Sequence, residues 1–149
     1  MLRDLISHVK TAILFCKTLT ATETPSNGID LKGFGSCLIQ CAIGAVTNIA
    51  NSPQPSWTFK LEESDDDSTY SAVTTDDVLL TYGNNDGAIS SGVFATIDYA
   101  AEDDTVYTIG YIGTKRYVRV VATAANTPGA TPISVVCTLG ALQKPQADA

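Results

Sequence analysis

Val106-Tyr107-Thr108-Ile109-Gly110-Tyr111-Ile112-Gly113-Thr114-Lys115-Arg116-Tyr117-Val118-Arg119-Val120-Val121-Ala122-Thr123 places β-branched and aromatic residues on both sides of a Gly-Thr step. Two extended runs follow, Val106 to Ile112 and Lys115 to Thr123. The short interruption with its glycine predicts a β-hairpin. With side chains alternating between the faces of a strand, Tyr117, Arg119 and Val121 share one face, and Arg116, Val118 and Val120 the other.

The same grammar extends outward to Gly33 on one side and Leu139 on the other. Pro132 to Leu139 predicts a last strand with Ile133, Val135 and Cys137 on one face. Trp57, Phe59 and Leu61 alternate with Thr58, Lys60 and Glu62, the pattern of a half-buried strand. Ser36 to Val46 is almost continuously apolar and predicts a strand buried on both faces. Tyr70 to Val73 and Val78 to Tyr82 are shorter candidates, and Ala88 to Thr96 reads as a looser segment. Turn clusters at Thr24 to Gly28, Gly83 to Gly87 and Asn126 to Thr131 separate the runs. Six or seven short strands without βαβ alternation predict a mainly β fold, an antiparallel β-sandwich or jelly-roll-like domain with an N-terminal arm or short helix. The boundaries expected are 1–28 for a helix or extended arm, 29–142 for the β-sandwich and 143–149 for a flexible tail.

Near the N-terminus, Leu2, Leu5, Ile6, Val9, Ala12 and Ile13 recur at helical spacing, which predicts a short amphipathic helix. The β-branched residues from Thr11 to Thr22 argue instead for an extended arm. Asp4, His8 and Lys10 interrupt the run, so neither a secretory leader nor a membrane span is expected. Bulky Phe15 before Cys16 argues against a lipid-attachment site.

Composition limits the chemistry. A chain of 149 residues with 44% hydrophobic and 17% charged residues suits one domain. A formal net charge of -7 offers no general attraction to nucleic acid or anionic lipid. With His8 as the one histidine, a histidine-based triad or multi-histidine metal site is hard to build. No cofactor is expected.

Cys16, Cys37, Cys41 and Cys137 lack zinc-like spacing. They read as small buried hydrophobes, with pairing in an oxidising medium as the alternative. Cys37 and Cys41 share a strand face but lie about 13 Å apart at strand rise, too far to bridge each other. Asp65-Asp66-Asp67 does not follow an EF-hand pattern and reads as a loop whose side chains cap backbone groups. Ala101-Glu102-Asp103-Asp104 reads the same way. A glycosidase pairing of Asp66 with Asp103 requires carboxyls about 5–10 Å apart. The Tyr107–Val120 segment leaves two readings open. Its tyrosines are core or edge aromatics with Arg119 bonding an acidic loop, or Tyr and Arg together form a protein-contact surface.

Ile29-Asp30-Leu31-Lys32-Gly33-Phe34, then Phe59-Lys60-Leu61-Glu62-Glu63-Ser64-Asp65-Asp66, then Ile109 to Val120 resemble, in that order, the head-decoration or cement proteins of tailed bacteriophages. The resemblance spans about Ile29 to Leu139, and the Gly-Tyr-Ile-Gly to Arg-Tyr-Val-Arg block is its most specific part. It implies a structural virion protein, made in the host bacterial cytoplasm. Displayed on the capsid outer surface, it would stabilise the shell through contacts with the major capsid protein and with itself, as a homotrimer. Leu5, Ile6, Val9, Ile13, Phe15, Tyr111, Arg116, Tyr117 and Arg119 are the contact residues expected. An arm from Met1 to Thr24 is expected to lie across a neighbouring subunit and to be dispensable for folding. Disulfides between subunits are a further possibility in a virion. A minor tail or head-completion role is an alternative, as is a carbohydrate- or host-surface-binding module in which Trp57 and Tyr99 stack on sugars.

Overall fold

In the computed structural model, residues 8–80 and 89–142 are described. Among these described residues, ten strands form two antiparallel sheets facing each other as a β-sandwich: β1 (Lys10–Leu19), β2 (Ile29–Asp30), β3 (Phe34–Ile43), β4 (Ser56–Ser64), β5 (Ser71–Ala72), β6 (Val78–Leu80), β7 (Val93–Ile97), β8 (Thr105–Tyr111), β9 (Tyr117–Ala125) and β10 (Thr131–Leu142). The first sheet runs β1-β10-β3-β8-β6. The second runs β2-β9-β4-β5, with β7 also paired to β4.

The core lies between the sheets and follows the period-two pattern. Trp57, Phe59 and Leu61 point inward from β4, opposite Ile39, Cys41, Ile109, Val135 and Leu139 of the first sheet. Trp57 is fully buried, and its indole N–H donates to Thr131 Oγ1 at 3.0 Å, so this polar edge is satisfied inside the core. Ile133, Val135 and Cys137 share the inward face of β10, as their spacing predicts.

Four expectations require correction. The hairpin at Gly113-Thr114 does not form. β8 pairs with β3 and β6 in one sheet, whereas β9 pairs with β4 and β2 in the other, so residues 112–116 cross between sheets as an arch. Ile112 N donates to Asp77 O, Lys115 N to Tyr111 Oη, and Arg116 O accepts from Leu31 N. Ile112 N and Arg116 O, at the two ends of the crossing, are thus bonded to other segments and not across a hairpin ladder. Gly113 serves the arch by leaving room, because a Cβ there would overlap the Tyr111 ring.

The N-terminal segment is a strand where the helical spacing extends past Lys10. β1 lies on the edge of the first sheet, and its ladder with β10 slips by one residue between Ile13 and Phe15. Leu14 is the extra residue, and the slip turns Ile13 outward and Phe15 into the core. Phe15 and Leu19 are buried, so a Met1–Thr24 arm is not separable from the folded domain. Leu5 and Ile6, the Gly83–Gly87 turn and the 143–149 tail lie outside the described residues.

The segment read as loose, 88–96, contributes most of β7, with Phe94, Ala95 and Ile97 buried beside β4. Gly92 lies at φ +80° immediately before it, and a Cβ there would meet the Leu61 carbonyl. Finally, β3 is buried on one face alone. Cys37, Ile39, Cys41 and Ile43 point into the core, while Leu38 is exposed on the other side.

Candidate functional site

The Arg- and Tyr-rich block was the sequence's strongest candidate for contact chemistry, and the arch divides it between the sheets. Tyr111, at the end of β8, is buried, with its hydroxyl donating to Glu63 Oε2 at 2.6 Å. Burial and that carboxylate push its phenol well above the ordinary tyrosine range. Phe15 is likewise a core residue. Neither is available as contact surface. Val9 is half-buried and Ile13 exposed.

The remaining three, Arg116 at the end of the arch and Tyr117 and Arg119 on β9, form a clamp. Arg116 grips Asp30 with two parallel bonds, Nε to Oδ1 at 2.9 Å and Nη2 to Oδ2 at 2.7 Å, and its guanidinium lies 4.9 Å from the Tyr117 ring centroid. Arg119 reaches Glu62 at 2.8 Å, donates to the Pro25 carbonyl at 2.8 Å, and stacks 3.8 Å over Tyr70. The acceptor is thus mainly Glu62 of the neighbouring strand. Asp67, from the acidic loop, accepts from Gly28 N at 2.7 Å, from Asn27 and from the Tyr70 hydroxyl. Those bonds, the Gly28 amide foremost, hold its carboxyl below the usual range. The Arg116 bond lowers Asp30 in the same way. For Glu62, burial opposes ionisation, and hydrogen bonds from Lys60 and Arg119 overcome it.

Together these bonds fasten residues 23–32 across β9 and β4. A cleft of about 500 Å³ opens beside this clamp, lined by Leu31, Lys32, Phe34, Ile112, Lys115 and Arg116. Two of its three cations are already paired, Arg116 with Asp30 and Lys115 with Asp65. The side chains that promised recognition chemistry therefore spend most of their bonding capacity within the chain.

The acidic segments behave as capping loops. Asp66 Oδ1 accepts from Ser68 N, Thr69 N and Ser64 Oγ, which depresses its carboxyl strongly. Glu102 accepts from the amides of Asp98 and Tyr99, and Asp103 from Val46 N. Asp66 and Asp103 flank opposite ends of β8, a seven-residue strand of roughly 20 Å, so they do not form a hydrolytic pair. No cluster of three or more His, Cys, Asp or Glu placed to hold a metal occurs among the described residues. Cys37, Cys41 and Cys137 are buried and free, and Cys16 is exposed and free. Trp57 is sealed in the core and cannot stack on a sugar, whereas Tyr99 is exposed.

A different surface stands out: the outer face of the first sheet. Its registers read Ile13-Val136-Gln40-Thr108, then Thr11-Thr138-Leu38-Gly110-Leu79, then Cys16-Ser134-Ala42-Val106. No charged residue occupies these rows. The outer face of the second sheet differs, since Lys60, Glu62 and Arg119 all lie outward on β4 and β9. Sequence reasoning missed this face although its signal was present, in the almost continuous, uncharged run of β3.

The fold is similar to that of the PBSX exported protein XepA. That match has a TM-score of 0.50 at 15% identity, over 94% of this chain and 40% of that one. A second similar structure comprises the CBM22-1 and GH10 modules of Clostridium thermocellum xylanase Xyn10B, complexed with xylohexaose. It matches at a TM-score of 0.40 and 8% identity, over 92% of this chain and 30% of that one. The chain thus spans less than half the length of either structure. No protein-family model and no curated protein matches the chain.

Proposed function

We propose that this chain is a structural protein of a tailed-phage particle, acting through protein contacts and not through catalysis, and decorating the outer surface of the capsid. The observation that carries the reading is the contrast between its two kinds of surface. Arg116, Arg119 and Lys115 are bonded to carboxylates of their own chain, whereas one sheet face is apolar or uncharged, with Ile13, Leu38, Leu79 and Val106 exposed on it. A face of that composition suits burial against another protein surface. The likeness to XepA, a phage exported protein, supports a phage setting. The ordered resemblance to decoration proteins supports the capsid.

Weak contacts repeated over a lattice stabilise it, because the protein binds the assembled form in preference to the disassembled one. Quantitative mass spectrometry of purified particles tests the proposal through the molar ratio of this chain to the most abundant capsid protein. A ratio within a few-fold of unity is the expected result. A handful of copies per particle would move the protein to a tail or connector, and its absence would overturn the structural role.

A further inference from the structure

We infer that the outer face of the β1-β10-β3-β8-β6 sheet is a self-association surface, on which a second copy of this chain packs its own identical face across a two-fold axis. The inference rests on the protein-contact reading above and names the partner for that face.

Burial first distinguishes the surface. The central strand β3 has the composition of a strand covered on both sides, but the single chain covers one. Leu38, Leu79, Val106 and Ile13 are 37%, 57%, 50% and 64% exposed on the other. Antiparallel sheets with one solvated face ordinarily turn polar or charged residues outward; here the polar outward positions, Thr11, Gln40, Thr108, Ser134 and Thr138, carry no charge. The second sheet of this same molecule places charged residues there, Lys60, Glu62 and Arg119.

Charge selects the partner. With a formal net charge of -7, two copies repel each other over much of their surface. The first sheet's outer face is where they meet without bringing charges together. An uncharged face requires no complementary charge from its partner, and an identical uncharged face satisfies that condition.

Shape and area agree. Five strands spaced about 4.8 Å apart, over roughly six residues of length, give a patch of about 500 Å² per copy and about 1,000 Å² for the pair, at the threshold of a specific interface. Two sheets with the same hand of twist pack face to face with their strands within about 30° of each other. Gly110 lies between Leu38 and Leu79 in one register row and leaves a notch between two leucines. Such an isologous contact closes at two copies. This face therefore builds a dimer, not the homotrimer that the resemblance implies.

Sedimentation equilibrium of the full chain tests the inference. The wild type is expected at twice its 15.7 kDa mass at micromolar concentration. Leu79→Asp and Ile13→Asp are each expected to weaken association by at least ~10-fold, because each places a charge in the apolar contact. Tyr99→Asp, at an exposed residue off this face, is expected to leave it unchanged. Thermal melts of all variants check that the fold is intact, and Val106→Asp with Thr138→Lys provides an independent pair. A monomeric or trimeric wild type, or a dimer that survives every substitution on the face, would overturn the inference. A monomer still present on particles near unit ratio removes the self-contact alone; a dimer absent from particles removes the virion role alone.

Discussion

Trp57 shows how one residue changes its meaning between sequence and fold. In the sequence it is an aromatic ring at a strand start, read as inward by its alternation with Phe59 and Leu61 and, in the alternative function, as a ring that stacks on a sugar. In the fold it is fully buried, and its indole nitrogen is matched by Thr131, itself fully buried. Thr131→Val keeps the shape but leaves the N–H without an acceptor, and is expected to cost about 1–3 kcal/mol in chemical denaturation. Asp98 presents the opposite case. Burial and the neighbouring Glu102 carboxylate raise its pKa, so at neutral pH its charge opposes folding. Asp98→Asn is therefore expected to raise the melting temperature at pH 7, and the difference is expected to shrink in acid as the native carboxyl takes up its proton. An unchanged melting temperature at pH 7 would mean that the two carboxylates do not interact.

Among the elements, inward and outward alternation was legible, and pairing partners were not. Trp57-Phe59-Leu61 and Ile133-Val135-Cys137 point as their period demands, because burial acts on each strand by itself. Gly113-Thr114 was misread because a tight return and an inter-sheet arch share the same short glycine-containing interruption. What separates them is the Tyr111 ring packed against Gly113 and the bonds from Asp77 and Leu31, which come from distant sequence. β1 was misread for a related reason. The helical spacing of Val9, Ala12 and Ile13 says nothing of pairing, and the β10 ladder that holds Lys10–Leu19 extended comes from more than a hundred positions away. The clamp was visible only as residue types, since Arg116 meets Asp30 across 86 positions. Because β1 supplies Phe15 to the core, Phe15→Ala is expected to cost about 3 kcal/mol. Ile13→Ala, at an outward position, is expected to stay within about 0.5 kcal/mol in the monomer. Equal effects in urea melts would show that the Ile13/Phe15 register is wrong.

At the scale of the whole molecule, the ionisable groups set two limits on stability. Asp30, Glu62, Asp66, Asp67 and Asp77 all have lowered pKa values in the fold. A lowered carboxyl stabilises the native state fully above its unfolded value, about 4, and loses that contribution as pH falls through the folded value. Asp98 has the opposite sign, one group against five, so acid is expected to destabilise. The alkaline limb comes from groups that the fold keeps neutral. Burial raises Cys41 and Tyr107, the latter to about 12, and burial also leads the rise of Tyr70 and Tyr111. Cys137 is raised chiefly by its hydrogen bond with Cys37. Stability from these groups is complete below their unfolded values, about 8.5 for cysteine and 10 for tyrosine, and declines as pH climbs toward the folded ones. Thermal melts across pH are therefore expected to give a plateau between about pH 5 and pH 8, falling on both sides. Asp67→Asn removes a carboxylate from the clamp on residues 27–28 and is expected to lower the plateau and flatten the acid limb. An acid limb unchanged in that variant would mean that the clamp around Gly28 does not contribute to acid sensitivity.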